Sequence, residues 1–281
     1  MTRDGTLVTI DGRPALRFER RYRHPIERVW HAISDAEEMG RWFPSRVEGE
    51  RAVGAELTFD DDARRAAAQA DGEPTRADGP VFRGTVVVHD PPHVFSFTWG
   101  GELIRLELAP DGDGTHLTFT QVLSHQSVAA RNGAGWHGCL GELDVLLGAS
   151  LAGEGADDRR AVYDDYLDRM GPALGAPTGN GGLTWERSTH VGPEQVRVAT
   201  GDLGEWSAWG AGEHAGDRAR WDVEATDHGS LYRLTVDAVG DDAELAATWH
   251  ALLAQLDMYL AAGQLVPVDH KRWIAAYEVV L

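Results

Sequence analysis

Residues 136–147 read Trp-His-Gly-Cys-Leu-Gly-Glu-Leu-Asp-Val-Leu-Leu, and this stretch decides how the chain folds. Its main apolar residues follow one another at intervals of four, three and four positions: Trp136, Leu140, Leu143 and Leu147. That spacing places all of them on one face of a helix and predicts a long amphipathic helix over about 132–150. Such a face has to be covered, so the rest of the chain must supply an apolar surface for it.

The same pattern returns in residues 249–260, which read Trp-His-Ala-Leu-Leu-Ala-Gln-Leu-Asp-Met-Tyr-Leu. The offset is 249 − 136 = 113 positions without a gap. A second gapless match, at an offset of 167, places identical residues of 19–42 on 186–209, and Tyr166 pairs with Tyr277 near the end of each copy. Matches in the same order predict a tandem duplication.

The two copies differ in length. Trp42 and Trp136 are 94 positions apart, whereas Trp209 and Trp249 are 40 apart, so the second copy lacks about 54 residues of its middle. The sequence predicts a complete domain over 1–171, a Gly- and Pro-rich linker over 172–182 and a shortened repeat over 183–281.

Between the N-terminus and the long helix, the first copy is rich in strand patterns. The strand candidates are 14–22, 55–59, 82–89, 93–99, 103–109 and 116–123, joined by short turns. A short helix from Pro25 to about Ser34 and a helical segment over 35–39 follow the first strand, and a further helix is predicted over 157–170. Residues 60–80 show no clear period and are predicted to form a mobile loop. Together these elements predict an α+β fold in which a curved antiparallel sheet grips the long helix.

This order resembles the helix-grip superfamily, also called START-like, Bet v 1-like or SRPBCC. More closely, it is similar to the family named after the activator of Hsp90 ATPase homologue 1. The residues that carry the resemblance are Phe18-Glu19-Arg20, His24-Pro25-Ile26-Glu27-Arg28-Val29-Trp30, Trp42-Phe43-Pro44 and Gly135-Trp136-His137-Gly138-Cys139-Leu140. It covers about residues 12–170, and in the second copy it rests on the repeat.

The resemblance implies a cavity between the sheet and the long helix that takes a small apolar or aromatic molecule. The residues expected to bind this ligand are Trp42, Phe43, Phe97, Trp99, Thr118, Thr120, Trp136, His137 and Leu140. His137 would orient the ligand from the N-terminal end of the helix. The alternative for the same aromatic residues is a filled core, and for His137 a half-exposed position without a role.

Two other functions stay open at this point. One is an enzyme of the cyclase, aromatase or dehydratase type working in the same cavity, although no catalytic residue is assigned. His137 and Asp144 lie seven residues apart, about 10.5 Å along a helix, which excludes a direct His–Asp dyad. The other is a protein-interaction module, such as one associated with a chaperone, whose acidic surface docks a basic partner.

Composition excludes further classes. The 281 residues carry a formal charge of 26 − 45 = −19, which disfavours binding to nucleic acid and to anionic membranes. No signal peptide or membrane-spanning run is evident, so a cytoplasmic protein is expected. Cys139 is the single cysteine, which rules out an internal disulfide, and the 12 histidines show no spacing typical of a zinc site. We therefore expect no metal and no cofactor, and the oligomeric state is left open.

Overall fold

A computed structural model describes residues 4–60, 82–149, 159–170, 174–189, 191–201, 219–226, 229–262 and 269–281. The predicted loop over 60–80 lies outside the described residues except for Asp60. The chain divides into two compact units, Met1–Gly171 and Pro172–Leu281, which we call unit 1 and unit 2.

Unit 1 contains an eight-stranded sheet and four α-helices in its described residues. The strands are β1 (Thr6–Ile10), β2 (Arg13–Tyr22), β3 (Arg46–Glu48), β4 (Glu56–Asp60), β5 (Phe82–Asp90), β6 (Val94–Trp99), β7 (Glu102–Asp111) and β8 (Gly114–Val122). The helices are α1 (Ile26–Ser34), α2 (Ala36–Met39), α3 (Ala129–Leu146) and α4 (Arg159–Met170), with a 3-10 turn at Gln126–Val128. The strand order is β1-β2-β8-β7-β6-β5-β4-β3, and all neighbouring strands are antiparallel.

Strand β7 shows why one face of this sheet is apolar and buried and the other is exposed to solvent. Ile104 and Leu106 are fully buried, while Arg105 and Glu107 between and after them form an ion pair of 2.8 Å on the opposite face. Successive side chains of a strand point to opposite faces, so this alternation fixes which face receives the helix.

The two short helices are tied to each other locally. Asp35 ends α1 and caps α2, because its carboxylate accepts hydrogen bonds from the backbone N–H groups of Glu37 and Glu38. The indole of Trp42 then donates to the carbonyl oxygen of Ala32 at 2.9 Å. These bonds fix where the chain enters the core after α2.

Helix α3 lies on the apolar face of the sheet. Its predicted apolar residues are buried: Trp136, Leu140, Leu143 and Leu147, the last at the C-cap. The predicted α+β fold, with an antiparallel sheet and a long helix, is confirmed. The helix begins at Ala129 and ends at Leu146, a few residues before each predicted boundary.

Unit 2 contains a smaller sheet and a long helix. It contains β9 (Ala176–Pro177), β10 (Leu183–Thr189), α5 (Pro193–Gly201), β11 (Ala219–Thr226), β12 (Gly229–Val236), α6 (Ala243–Ala262) and α7 (Lys271–Val280), and its strand order is β11-β12-β10-β9. Trp185 of β10 lies opposite Leu234 of β12, as Phe18 of β2 lies opposite Phe119 of β8. The order β11-β12-β10-β9 and its register are thus similar to those of β7, β8, β2 and β1 in unit 1.

The stretch predicted as a linker departs from that expectation. Within 172–182, strand β9 pairs with β10, and the N–H of Gly175 donates to the hydroxyl of Tyr277 at 3.0 Å. Proline is compatible with a strand here because β9 is at the edge of the sheet, where a missing N–H breaks no ladder. Residues 174–182 are therefore part of unit 2.

Two glycines of α3 provide a test of how closely α4 packs on it. A Cβ added at Gly133 would lie 2.6 Å from the ring of Tyr166, whereas one added at Gly135 would meet nothing within 4 Å. We expect Gly133→Ala to destabilise unit 1 by about 1–3 kcal/mol through overpacking. Gly135→Ala should stabilise it by about 0.5–1 kcal/mol, because alanine favours the helix. Urea unfolding followed by NMR signals of unit 1 measures both, and equal effects would contradict this packing.

Candidate functional site

Phe43 lies at the centre of a group of rings between the sheet and α3, all of them buried except the half-buried Trp99. Its ring centroid is 5.4 Å from that of Trp136, 5.5 Å from that of Trp99 and 5.8 Å from that of Phe97. Phe119 of β8 contacts Trp136 from the sheet side, with centroids 4.4 Å apart. We call these five residues the aromatic cluster.

The structure brings most of the predicted ligand-binding residues to this cluster. Phe43, Phe97, Trp99 and Trp136 are members of it. Trp42 contacts Phe43 edge-on at 5.7 Å. Leu140 is fully buried one turn after Trp136 on the same face of α3.

Two predicted residues, Thr118 and Thr120, are not brought to the cluster. They alternate along β8 with Phe119 and Gln121, both of which contact Trp136. Side chains at neighbouring positions of a strand point to opposite faces, so both threonines lie on the face away from α3.

His137 also turns away from the rings, because it follows Trp136 on the helix. Its Nδ1 lies 3.4 Å from the hydroxyl of Tyr166 and 3.5 Å from a carboxylate oxygen of Asp4. The side chain is 19% exposed. It is thus placed against α4 and the N-terminal segment.

Trp136 is joined to a buried carboxylate that the sequence analysis did not single out. Its indole Nε1 donates to Oε1 of Gln121 at 2.6 Å, and Nε2 of Gln121 donates to Oε2 of Glu102 at 2.6 Å. The other oxygen of Glu102 accepts from both the backbone N–H and the hydroxyl of Ser124, each at 2.8 Å. Asn132 adds a fourth bond at 3.3 Å. We call Glu102, Gln121 and Trp136 the relay.

The electrostatics of Glu102 are dominated by its burial, since the residue is only 2% exposed. Burial raises the pKa of Glu102 above its usual value, because a desolvated carboxylate is disfavoured. The hydrogen bonds from Ser124, the charge of Arg131 and the bond from Gln121 act in the opposite direction. The carboxylate is therefore costly to bury, although its lone pairs are well supplied with donors.

Two other polar networks occur in both units. In unit 1 Arg20 contacts Asp144 at 3.2 Å, and Tyr22 donates to the same carboxylate at 2.8 Å. In unit 2 Arg187 contacts Asp257 at 3.3 Å, and the hydroxyl of Tyr232 donates to that carboxylate. Each pair links the sheet to the long helix, so its role is to fix that helix in place.

The second repeated network joins a histidine of the long helix to a tyrosine of the last helix. Nδ1 of His250 lies 2.9 Å from the hydroxyl of Tyr277, as His137 lies near that of Tyr166. Each tyrosine hydroxyl also accepts a backbone N–H, from Gly175 in unit 2 and from Gly5 in unit 1. This network too is common to both units.

Comparison with known families identifies the fold. A family model described as activator of Hsp90 ATPase homolog 1-like protein matches residues 23–148, which run from the start of α1 through the end of α3. Residues 23–148 are thus similar to that family, and we call them the Hsp90-activator-like domain. The resemblance noted from the sequence is thereby confirmed for this part of the chain.

Three of the solved structures similar to the chain align over about three fifths of it. CalU16 from Micromonospora echinospora is 18% identical and aligns over 60% of this chain and 97% of its own, with a TM-score of 0.43. The protein EF2215 from Enterococcus faecalis is 16% identical over 59% and 90%, with a TM-score of 0.44. The protein encoded by BPP1335 of Bordetella parapertussis is 28% identical over 59% and 91%, with a TM-score of 0.42. No curated protein matches the chain.

The relay distinguishes the Hsp90-activator-like domain from unit 2. Gln121 lies opposite Leu16 and Ile104 in the sheet of the domain. The corresponding position of β12, opposite Leu183 and Ala219, is occupied by Val236. Unit 2 also has a buried tryptophan on its long helix, Trp249, but the sheet position that Gln121 occupies in unit 1 holds an apolar side chain in unit 2.

Glu102 was not predicted as a site residue, because it follows two glycines and lies just outside the predicted strand over 103–109. A signal was present, since Glu102 is in phase with the buried residues Ile104 and Leu106. In the described part of the chain, no group of three or more His, Cys, Asp or Glu side chains is arranged to hold a metal ion. None of the described helices combines the length and the apolarity needed to cross a bilayer.

Proposed function

We propose that the Hsp90-activator-like domain binds a small apolar or aromatic molecule at the aromatic cluster, between its sheet and α3. The observation that carries the proposal is the relay. Unit 2 builds the same half-sheet and long helix with Val236 in place of Gln121, so packing does not require a buried amide and carboxylate there. A costly polar group that the architecture does not need is typical of a functional site.

The aromatic cluster supports the chemistry of the proposed ligand. The ring centroids of the cluster lie 4.4–5.8 Å apart. A ligand that enters between these rings meets their faces and edges. A flat apolar molecule can make the same kinds of contact with these rings as the rings make with one another. Apolar and aromatic side chains are also the usual lining of a small-molecule site. The ligand-contacting residues in this proposal are Phe43, Phe97, Trp99, Trp136 and Leu140, with Trp42 behind Phe43.

We further propose that unit 2 is a shortened repeat of unit 1 whose role is structural. The matching register of β10 with β12 and the two repeated polar networks support this. In the described residues of unit 2, no strand corresponds to β3–β6, which carry Phe97 and Trp99 in unit 1. We therefore place the ligand in unit 1 alone.

A binding experiment with indane tests the proposal, because indane is flat, apolar and free of hydrogen-bonding groups. We expect one equivalent to bind per chain and to shift the indole NMR signals of Trp99 and Trp136. Trp136→Phe should weaken this binding about fivefold to tenfold, since the smaller ring leaves part of the ligand without contact. The matched control is Trp249→Phe, at the same helix position of unit 2, which should leave the affinity unchanged.

Native mass spectrometry of protein purified from its own host is the complementary measurement, since a co-purifying molecule identifies the chemistry of the natural ligand. The proposal fails if indane does not bind up to its solubility limit and no co-purifying molecule is found. It also fails if Trp249→Phe weakens binding as much as Trp136→Phe does.

A further inference from the structure

The charge of Glu102 determines which groups donate and which accept hydrogen bonds in the relay. An ionised carboxylate only accepts hydrogen bonds, and an indole N–H only donates. Gln121 lies between the two at 2.6 Å from each, so its NH2 group must face Glu102 and its carbonyl must face Trp136. In this state the indole N–H of Trp136 is fully engaged by Gln121.

A neutral group at position 102 changes this arrangement. Each oxygen of Glu102 accepts two hydrogen bonds, but one of those on the side of Ser124 comes from a backbone N–H, which can only donate. The side-chain amides of Gln121 and Asn132 can rotate, so a proton is best carried by the oxygen that faces them, and Gln121 is the nearer of the two. That O–H donates to the Gln121 carbonyl only if the amide rotates. Its NH2 group then faces the indole N–H of Trp136, and two donors cannot bond to each other.

We propose that the charge of Glu102 decides whether the indole N–H of Trp136 is engaged by Gln121 or is available to a ligand. Glu102 is thus a specificity-determining residue that acts through Gln121. This inference rests on the proposed function, because the ligand it concerns is the one that contacts Trp136 in the aromatic cluster.

The ligand class follows from the state of the relay. With Glu102 ionised, Trp136 offers its ring faces and no free N–H, so the site favours flat molecules without a carbonyl group. With a neutral group at position 102, the indole N–H becomes a donor inside an apolar site. A buried donor without an acceptor is costly, so the site then favours aryl ketones over hydrocarbons of the same shape.

The first test reads the relay without any ligand. In the full chain labelled with 15N, we expect Glu102→Gln to move the indole signal of Trp136 upfield as its hydrogen bond to Gln121 is lost. The matched control is Glu107→Gln on the same strand, which lies on the opposite, solvated face and should leave the signal in place. An unchanged Trp136 signal in folded Glu102→Gln overturns the inference.

A second variant guards against a failure of Glu102→Gln to fold. Gln121→Val introduces the residue that unit 2 carries at the corresponding position, and it removes the acceptor of the indole N–H directly. It should produce the same upfield shift as Glu102→Gln. An unchanged signal in this variant overturns the inference as well.

The third test compares indane with 1-indanone, which differ by a single carbonyl group. We expect the wild-type chain at pH 8 to bind indane more tightly than 1-indanone, because Trp136 offers no N–H to the carbonyl group of 1-indanone. Glu102→Gln and Gln121→Val should each shift the preference toward 1-indanone about fivefold to tenfold, the value of one hydrogen bond. An unshifted preference with a shifted indole signal overturns the assigned selectivity. If neither compound binds any variant, the proposed function fails, and the indole signal still decides the relay.

Discussion

Replacing Asp144 with alanine is expected to destabilise unit 1 by about 3–5 kcal/mol, the usual effect of removing one partner of a buried ion pair. The Arg20 and Asp144 side chains are only 7% and 4% exposed. The substitution leaves the Arg20 guanidinium buried beside an empty space and takes the acceptor of the Tyr22 hydroxyl away. Since the pair joins β2 to α3, its loss should weaken the packing of the long helix against the sheet.

Unit 2 supplies the matched control for this prediction. Asp257 makes the corresponding pair with Arg187, but its side chain is 26% exposed. Water can enter the space left by Asp257→Ala and solvate the arginine, so we expect a loss of about 1–2 kcal/mol in unit 2. Hydrogen exchange of backbone amides in α3 and in α6 reports the two units separately. Equal losses in both units would show that burial of the pair is not what sets its contribution.

The helices and strands of unit 1 were largely predictable because their apolar residues recur at regular helix or strand spacing. Trp136, Leu140 and Leu143 repeat at helical spacing, and the strand over 103–109 alternates without interruption, so local pattern and tertiary burial agree there. The short edge strands β1, β3 and β9 were missed. An edge strand with one exposed side has no strict alternation, and it is fixed by pairing with a neighbour that the sequence does not reveal.

The candidate site was predictable only in its apolar part. Aromatic residues in strands and on the inner helix face are expected inside, and Phe43, Phe97 and Trp136 do meet. The partners of Glu102 come from Gln121, Ser124 and Asn132, which lie 19, 22 and 30 positions away along the chain. No periodic pattern links residues at these separations, so the relay depends on sheet register and on the position of the helix start.

The sequence matches between the two units contained a signal for the ion pairs. Arg20 and Asp144 both have matches in unit 2, Arg187 and Asp257, although most residues around them differ. Each aspartate follows a histidine by seven residues, a separation too long for a direct hydrogen bond between the two on a helix. The partner was instead the arginine of the second strand, which also recurs. Residues that match together in two otherwise different stretches are candidates for mutual contact.

Unit 2 is expected to lose stability in mild acid because of His250. The Tyr277 hydroxyl accepts from Gly175 and from the indole of Trp185, so its single hydrogen is donated to Nδ1 of His250, which must then be unprotonated. Burial first, and then the nearby charge of Arg187, lower the pKa of His250 well below 6.5. The unfolded chain takes up this proton near pH 6.5, whereas the folded unit resists it.

The direction of the pH effect follows from that difference. The contribution of neutral His250 is fully present above pH 6.5 and is lost as the pH falls toward the folded-state pKa, by up to about 1.4 kcal/mol per pH unit. Urea unfolding followed by NMR signals of unit 2 should show this slope between pH 6.5 and 5. His250→Gln retains an acceptor for Tyr277 but does not titrate, so its slope should be flatter. The counterpart variant His137→Gln in unit 1 should leave the slope of unit 2 unchanged. A slope in His250→Gln equal to that of the wild type would show that another group is responsible.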